Sequence, residues 1–188
     1  MNKKAFILID YTVDFVATDG KLTVGEPGQR LEKAIASKIR ETIAKNDLVV
    51  VVNDLHQEHD LHHPEHALFP PHNIEGTEGR KLYGEVEDLL CEVENEKPGN
   101  VIRLDKRRYS AFCGTPLDLL LRQENIHEIE LAGVCTDICV FHTAVDAYNK
   151  GYQVMIDESA VASFNETAHQ VALEHFKSVM GFEVKRRG

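Results

Sequence analysis

The stretch Ile129-Glu-Leu-Ala-Gly-Val134, then Cys135-Thr-Asp-Ile-Cys139, then Val140-Phe-His-Thr-Ala-Val-Asp-Ala-Tyr-Asn-Lys-Gly151 decides the architecture. Its first part reads as a short buried strand. Its last part sets apolar residues at 140, 141, 144, 145 and 148, a helical stripe that closes on Gly151, a residue type that ends helices. Thr136 and Asp137 at the junction are helix-starting residue types. Cys139 therefore falls in the first turn of a helix, at the carboxyl end of a strand. Unpaired backbone N–H groups and the helix dipole favour thiolate over thiol there. An open α/β sheet would present a cysteine nucleophile at that point.

The same alternation runs outward in both directions. Apolar runs stand at 5–9, 48–52, 101–104, 129–134, 154–156 and 182–184, separated by helical patterns. Leu31, Ile35, Ile39 and Ile43 form one stripe, and Arg80 to Glu94 carries Leu82, Val86, Leu89, Leu90 and Val93 as a second. Thr115-Pro116 reads as an N-cap with Pro at the first helical position, ahead of Leu117, Leu120 and Leu121. Ser163-Phe-Asn-Glu166 has capping-box spacing ahead of Ala168, Val171, Ala172 and Phe176. Six strands alternating with helices predict a three-layer α/β/α sandwich around a six-stranded, mainly parallel, doubly wound sheet. With no linker or repeat, residues 1–188 read as a single domain. The long exception is 54–79, read mostly as loop, and loops of that length are usually functional.

Composition narrows the function. Hydrophobic residues are 43% and charged residues 28%, the balance of an ordinary folded protein. A net charge of −10 without basic runs argues against nucleic acid or an anionic membrane as partner. The opening Met1-Asn-Lys-Lys-Ala-Phe-Ile-Leu-Ile-Asp10 breaks off too early for a signal peptide and is better read as the first strand. Four cysteines at 91, 113, 135 and 139, with no targeting signal, fit reduced thiols and a cytoplasmic setting. Cys91, on a helical stripe, and Cys113, beside a Gly turn, are read as structural.

Ligands of such sheets bind where strands end. Reading only those ends yields Asp10, Asp54 with His56, Lys106, and Cys139. Each polar residue directly follows an apolar run. Asp54-Leu-His56 can turn two ligands to one side of an extended chain, and His72 closes the loop, with Glu65 offering another carboxylate. Imidazole and carboxylate ligands suit zinc, manganese or iron(II). His59, His62, His63 and His66 in the same loop are read as solvated surface histidines. Asp10 is the expected general base, with Lys106 stabilising a Cys139 thiolate and orienting that Asp.

These residues and their surroundings resemble the nicotinamidase branch of the isochorismatase-like cysteine hydrolases. The resemblance rests on five ordered motifs spread over nearly the whole chain: Asp10-Tyr-Thr-Val-Asp-Phe15; Asn53-Asp-Leu-His56; Phe69-Pro-Pro-His72 with Gly76-Thr-Glu-Gly79; Lys106-Arg-Arg-Tyr-Ser-Ala-Phe112; and Gly133-Val-Cys-Thr-Asp-Ile-Cys-Val140. It implies an Asp10–Lys106–Cys139 triad and a divalent metal on Asp54, His56 and His72, in some members also on a carboxylate matching Glu65. It implies a substrate ring among Phe15, Phe69 and Tyr109, with its nitrogen at the metal. It also implies a non-proline cis peptide at Val134–Cys135 and an oxyanion site from the N–H groups of Cys135 and Cys139. The expected reaction is nicotinamide to nicotinate and ammonia through a thioester, with pyrazinamide also accepted. A ureido or carbamoyl amidohydrolase on the same scaffold, or a non-catalytic metal-binding relative, is the alternative. Association into a homo-oligomer, dimer or tetramer, follows from the resemblance alone. Many members have Gln where Thr12 stands, and Trp and Cys where Phe69 and Asn73 stand.

Overall fold

The computed structural model describes residues 3–96 and 99–186. Six strands form one sheet: β1 (Ala5–Ile9), β2 (Leu48–Asp54), β3 (Val101–Lys106), β4 (Glu128–Val134), β5 (Gln153–Ala162) and β6 (Glu183–Lys185). Their order is β3-β2-β1-β4-β5-β6. Every pairing is parallel, so the sheet is parallel throughout rather than mainly so. The helices are α1 (Val13–Val16), α2 (Glu26–Gln29), α3 (Glu32–Ala44), α4 (Glu85–Glu96), α5 (Leu117–Gln123), α6 (Cys139–Asn149) and α7 (Glu166–Ser178).

The period-2 geometry of the strands creates two cores. Phe6, Leu8, Val49 and Val51 point to the face covered by Ile35 and Ile39 of α3 and Val86 and Leu90 of α4. Ile7, Ile9, Val50 and Val52 point to the opposite face, under Leu117 of α5, Val140 and Ala144 of α6, and Phe176 of α7. β1 and β2 are buried over their whole length, which explains why they read as unbroken apolar runs. From β1 the chain first winds to β2 and β3 and later returns to β4 on the other side. The crevice between the carboxyl ends of β1 and β4 is thus the topological switch point, where such sheets bind ligands. β4 approaches β1 so closely there that a Cβ on Gly133 (φ +112°) would stand 1.9 Å from the Ile9 carbonyl oxygen.

Several local expectations shift. β2 and β3 run on to Asp54 and Lys106, which become register partners at the sheet edge rather than residues beyond it. The second stripe is helical only from Glu85, because Gly84 adopts φ +61° just before it. Asn165, not Ser163, caps α7 by accepting from the Ala168 N–H at 3.0 Å. Pro116 itself occupies the N-cap position of α5, although the Thr115 hydroxyl still accepts from Leu117 N–H at 3.2 Å. Neither Thr136 nor Asp137 caps α6; Ile138 holds that position and the Thr136 hydroxyl meets His169 at 2.8 Å. The 54–79 segment folds into two short 3₁₀ turns, Pro64–Ala67 and Glu78–Arg80, inside an otherwise irregular path. Cys91 and Cys113 are exposed, so neither serves the core. No helix among the described residues is long and apolar enough to cross a membrane.

Candidate active site

Asp10 leaves β1 with φ +55°, an unusual conformation for a non-glycine residue. Its backbone N–H donates to the Val52 carbonyl at 3.1 Å, and its Oδ1 accepts from the Asp54 N–H at 2.7 Å. Lys106 arrives from the end of β3 with its ammonium wholly buried, 2.7 Å from Asp10 Oδ2 and hydrogen-bonded to Asp54 Oδ1. The same ammonium is 3.5 Å from Cys139 Sγ, on the first residue of α6. The strand ends thus bring Asp10, Lys106 and Cys139 into one buried cluster. Asp10, Asp54 and Cys139 also converge closely enough to hold an ion, but the Lys106 ammonium already lies among them.

Burial sets the protonation states here. Desolvation, reinforced by the Asp54 charge, pushes the Asp10 carboxyl up to about 6 despite Lys106. Burial also pushes the Asp54 carboxyl up, yet Lys106 and His56 override it and hold that group at about 2. Burial pushes the Cys139 thiol well above its ordinary value, against the opposing pull of Lys106. That differs from the expectation of a resting thiolate, because desolvation and the Asp10 and Asp54 charges outweigh Lys106. The cluster therefore rests with the proton on sulfur beside a base whose affinity for it has been raised. Burial drives Cys135 up to about 12, so this second thiol is not a competing nucleophile.

A second cluster adjoins the first. Asp54, His56, Glu65 and His72 are all buried, and one ligand atom from each lies within 4.8 Å of the others. His56 Nε2 is 3.9 Å from Asp54 Oδ2, and His72 Nε2 is 3.7 Å from Glu65 Oε2. The His72 ring is oriented from behind, by a 2.8 Å hydrogen bond between Nδ1 and the Pro70 carbonyl. Asp54 Oδ2, His56 Nε2 and His72 Nε2 are buried without a hydrogen-bond partner among the described residues. Such atoms are costly to leave unpaired, and three of them converging fits a bound divalent cation. Desolvation, with the Asp54 charge, pushes Glu65 up to about 7, and burial lowers His72. His59, His62 and His66 are exposed, but His63 is not the solvated residue expected. It is buried, its Nε2 is 2.9 Å from the Arg107 carbonyl, and its ring abuts that of His56 at 4.3 Å.

A small pocket opens onto both clusters. Phe15, Phe69 and Tyr109 line it with Asp54, Glu65 and Cys139. Leu22, Ile138 and Phe164 complete its wall, and sequence reasoning missed all three. The pocket is mainly apolar, with the polar groups of Asp54, Glu65 and Cys139 in its lining, as small-molecule sites usually are. A larger hollow of about 990 Å³ lies at the opposite, amino-terminal edge of the sheet, between Lys38, Glu130, Tyr148 and Phe182. No cysteine lines it, whereas Cys139 lines the smaller pocket together with Asp54 and Glu65.

The chain is similar to known proteins over nearly its whole length. The isochorismatase domain model matches residues 4–184. The isochorismatase family protein PncA of Bacillus subtilis (strain 168) is 56% identical, over 97% of this chain and 98% of that protein. A crystal structure of nicotinamidase/pyrazinamidase PncA from Bacillus subtilis aligns with a TM-score of 0.94 at 52% identity, covering 97% and 99% of the two chains. The pyrazinamidase of Pyrococcus horikoshii, solved in complex with zinc, aligns with a TM-score of 0.83 at 27% identity, covering 98% and 99%. A hydrolase fold, a buried cysteine at its switch point and a match over nearly the whole chain lead to one conclusion: this protein belongs to the isochorismatase family.

Proposed function

We propose that the protein is a cysteine amidohydrolase that converts nicotinamide to nicotinate and ammonia, and that it also accepts pyrazinamide. The observation that carries this reading is the contact of Cys139, Lys106 and Asp10 at the floor of an aromatic pocket that also opens on Asp54 and Glu65. The thiol passes its proton to Asp10 as sulfur attacks the carboxamide carbon. Asp10 returns that proton to the departing nitrogen, the C–N bond breaks, and ammonia leaves a thioester on Cys139. Asp10 then takes a proton from water, whose oxygen attacks the thioester carbon. The C–S bond breaks, and the proton returns to sulfur.

Lys106 remains charged throughout. It offsets the negative charge that shuttles between Asp10 and sulfur in a site where burial would otherwise disfavour it. The N–H of Cys139, at the start of α6, has no partner within the helix and is assigned with that of Cys135 to the oxyanion. Phe15, Phe69 and Tyr109 enclose the ring. Asp54, His56 and His72, with Glu65 beside them, would hold a divalent ion, zinc by analogy with the Pyrococcus horikoshii enzyme, which supplies a Lewis-acid anchor for the ring nitrogen.

The thioester is tested by adding hydroxylamine to a nicotinamide reaction. An acyl-enzyme partitions between water and hydroxylamine, so nicotinohydroxamate should appear at the expense of nicotinate. Nicotinate alone, at every hydroxylamine concentration, would mean direct attack by water.

A further inference from the structure

Two features singled out in the sequence take no part in the chemistry above: Asp14, and the Gly79 that ends the Gly76–Gly79 motif. The fold places them against each other. Asp14 is 7% exposed, and its Oδ2 accepts the backbone N–H of Asn73 at 2.8 Å. Asn73 follows His72 directly, is wholly buried, and adopts φ +45°. Its carbonyl accepts the His56 N–H at 3.1 Å. One residue therefore links the backbones of both histidines of the ligand cluster, through the chain to His72 and through a hydrogen bond from the His56 N–H. Asp14 holds that residue in place. A Cβ on Gly79 would stand 2.2 Å from Asp14 Oδ2 and 2.4 Å from its carboxyl carbon, so only glycine leaves room for the carboxylate.

We propose that Asp14 is a positioning residue for the metal centre, and that Gly79 is the missing side chain that admits it. The inference rests on reading Asp54, His56, Glu65 and His72 as a metal site. Asp14 touches no ligand atom. By fixing the Asn73 peptide it fixes the distance between the His56 and His72 rings, inside a long segment with little regular structure of its own. Outer partners of this kind commonly set metal affinity by 10- to 100-fold.

The test is zinc titration of metal-free protein against a chromophoric chelator. Asp14→Ala should weaken zinc binding by about 10- to 100-fold. Asp14→Asn should stay close to wild type, because its amide oxygen can still accept the Asn73 N–H. Gly79→Ala should fall with Asp14→Ala, although it lies nowhere near a ligand atom. A merely structural tie would lower thermal stability in all three without separating the amide variant from the other two in zinc affinity. Wild-type zinc affinity in folded Gly79→Ala or Asp14→Ala protein would overturn the inference alone. Absence of zinc binding by the wild type would overturn the metal reading and the inference together. If Asp14→Ala does not fold, the contrast between Gly79→Ala and Asp14→Asn decides.

Discussion

Lys106 Nζ lies 3.5 Å from Cys139 Sγ, with both side chains buried and the same ammonium ion-paired to Asp10. A fully buried lysine is tolerable only with charge partners, and here burial lowers its pKa while Asp10 and Asp54 outweigh that and hold it well above the ordinary value. Lys106 is thus a permanent cation facing a thiol. Lys106→Met should shift alkylation of Cys139 by iodoacetamide to higher pH, because Lys106 is the charge that draws the thiol's pKa down against burial and the Asp10 and Asp54 carboxylates. An unchanged pH profile of alkylation would remove Lys106 from the mechanism.

Cys139→Ala should abolish turnover while leaving the fold and the Asp54–His56–His72 group in place. Cys91→Ala and Cys113→Ala should retain most activity, since both thiols are exposed and neither lines the pocket. Steady-state rates and circular dichroism of the three variants check this. Appreciable turnover without Cys139 would reject the covalent route.

Asp10 must act as base twice, so Asp10→Asn should cost at least ~10²-fold in kcat. Its carboxyl is raised to about 6 by burial, and a base works only when ionised. The acid limb of kcat/KM should therefore fall as pH drops through about 6, well above the ordinary carboxylate range. Lys106 lowers that pKa, so weakening the cation should carry the limb upward. A limb near pH 4, about the value of an unperturbed carboxylate, would mean that Asp10 is not the group being titrated.

How much of this was legible in the chain depends on which force set each feature. β1 and β2 are legible because burial on both faces leaves runs such as Val49 to Val52 without polar interruption, whereas the edge strands β3 and β6 show only as shorter apolar runs. The polar residues that follow those runs, Asp10, Asp54, Lys106 and Cys139, could be selected because a sheet edge is fixed by strand length alone. The outer pocket wall was not legible. Leu22, Ile138 and Phe164 are single apolar residues outside any periodic pattern, and only the tertiary fold brings them to one cavity. The protonation of Cys139 is hidden for a related reason: a helix start shows in the sequence, but the desolvation and the buried Asp10 and Asp54 that raise the thiol's pKa do not. His63 likewise owes its burial to the Arg107 carbonyl, 44 positions along the chain.

At the far side of the molecule, Lys38 on α3 joins Glu130 at 2.6 Å and Asp157 at 2.9 Å, all three mostly buried. Lys38→Met leaves two carboxylates facing each other and should destabilise by about 1–3 kcal/mol at pH 7, below the full cost of breaking a deeply buried pair because some solvent reaches all three. Burial raises Asp157, but its hydrogen bonds with Ser159 and Lys38 win and depress it. A depressed carboxylate stabilises the fold above its unfolded pKa, about 3.9, and loses that contribution as pH falls through the folded value. The gap between wild type and variant in urea unfolding should hold near neutrality and shrink in acid. A gap that widens in acid would contradict this reading.

If the ion on Asp54, His56 and His72 anchors the ring nitrogen, benzamide should bind far worse than nicotinamide. Chelation or His56→Ala should weaken nicotinamide binding and barely touch benzamide. The two losses should not add, because both delete one interaction. Equal affinity of the metal-loaded protein for both amides would break the link between the metal and the ring.

The proposed attack of Cys139 on the carboxamide of nicotinamide is measured most simply as ammonia and nicotinate released by the purified, zinc-loaded protein, run beside an N-carbamoyl amino acid as competing substrate. It predicts equimolar ammonia and nicotinate from nicotinamide, loss of both in Cys139→Ala, and little release from the carbamoyl compound. No nicotinate from nicotinamide, together with rapid ammonia release from the carbamoyl compound, would contradict it.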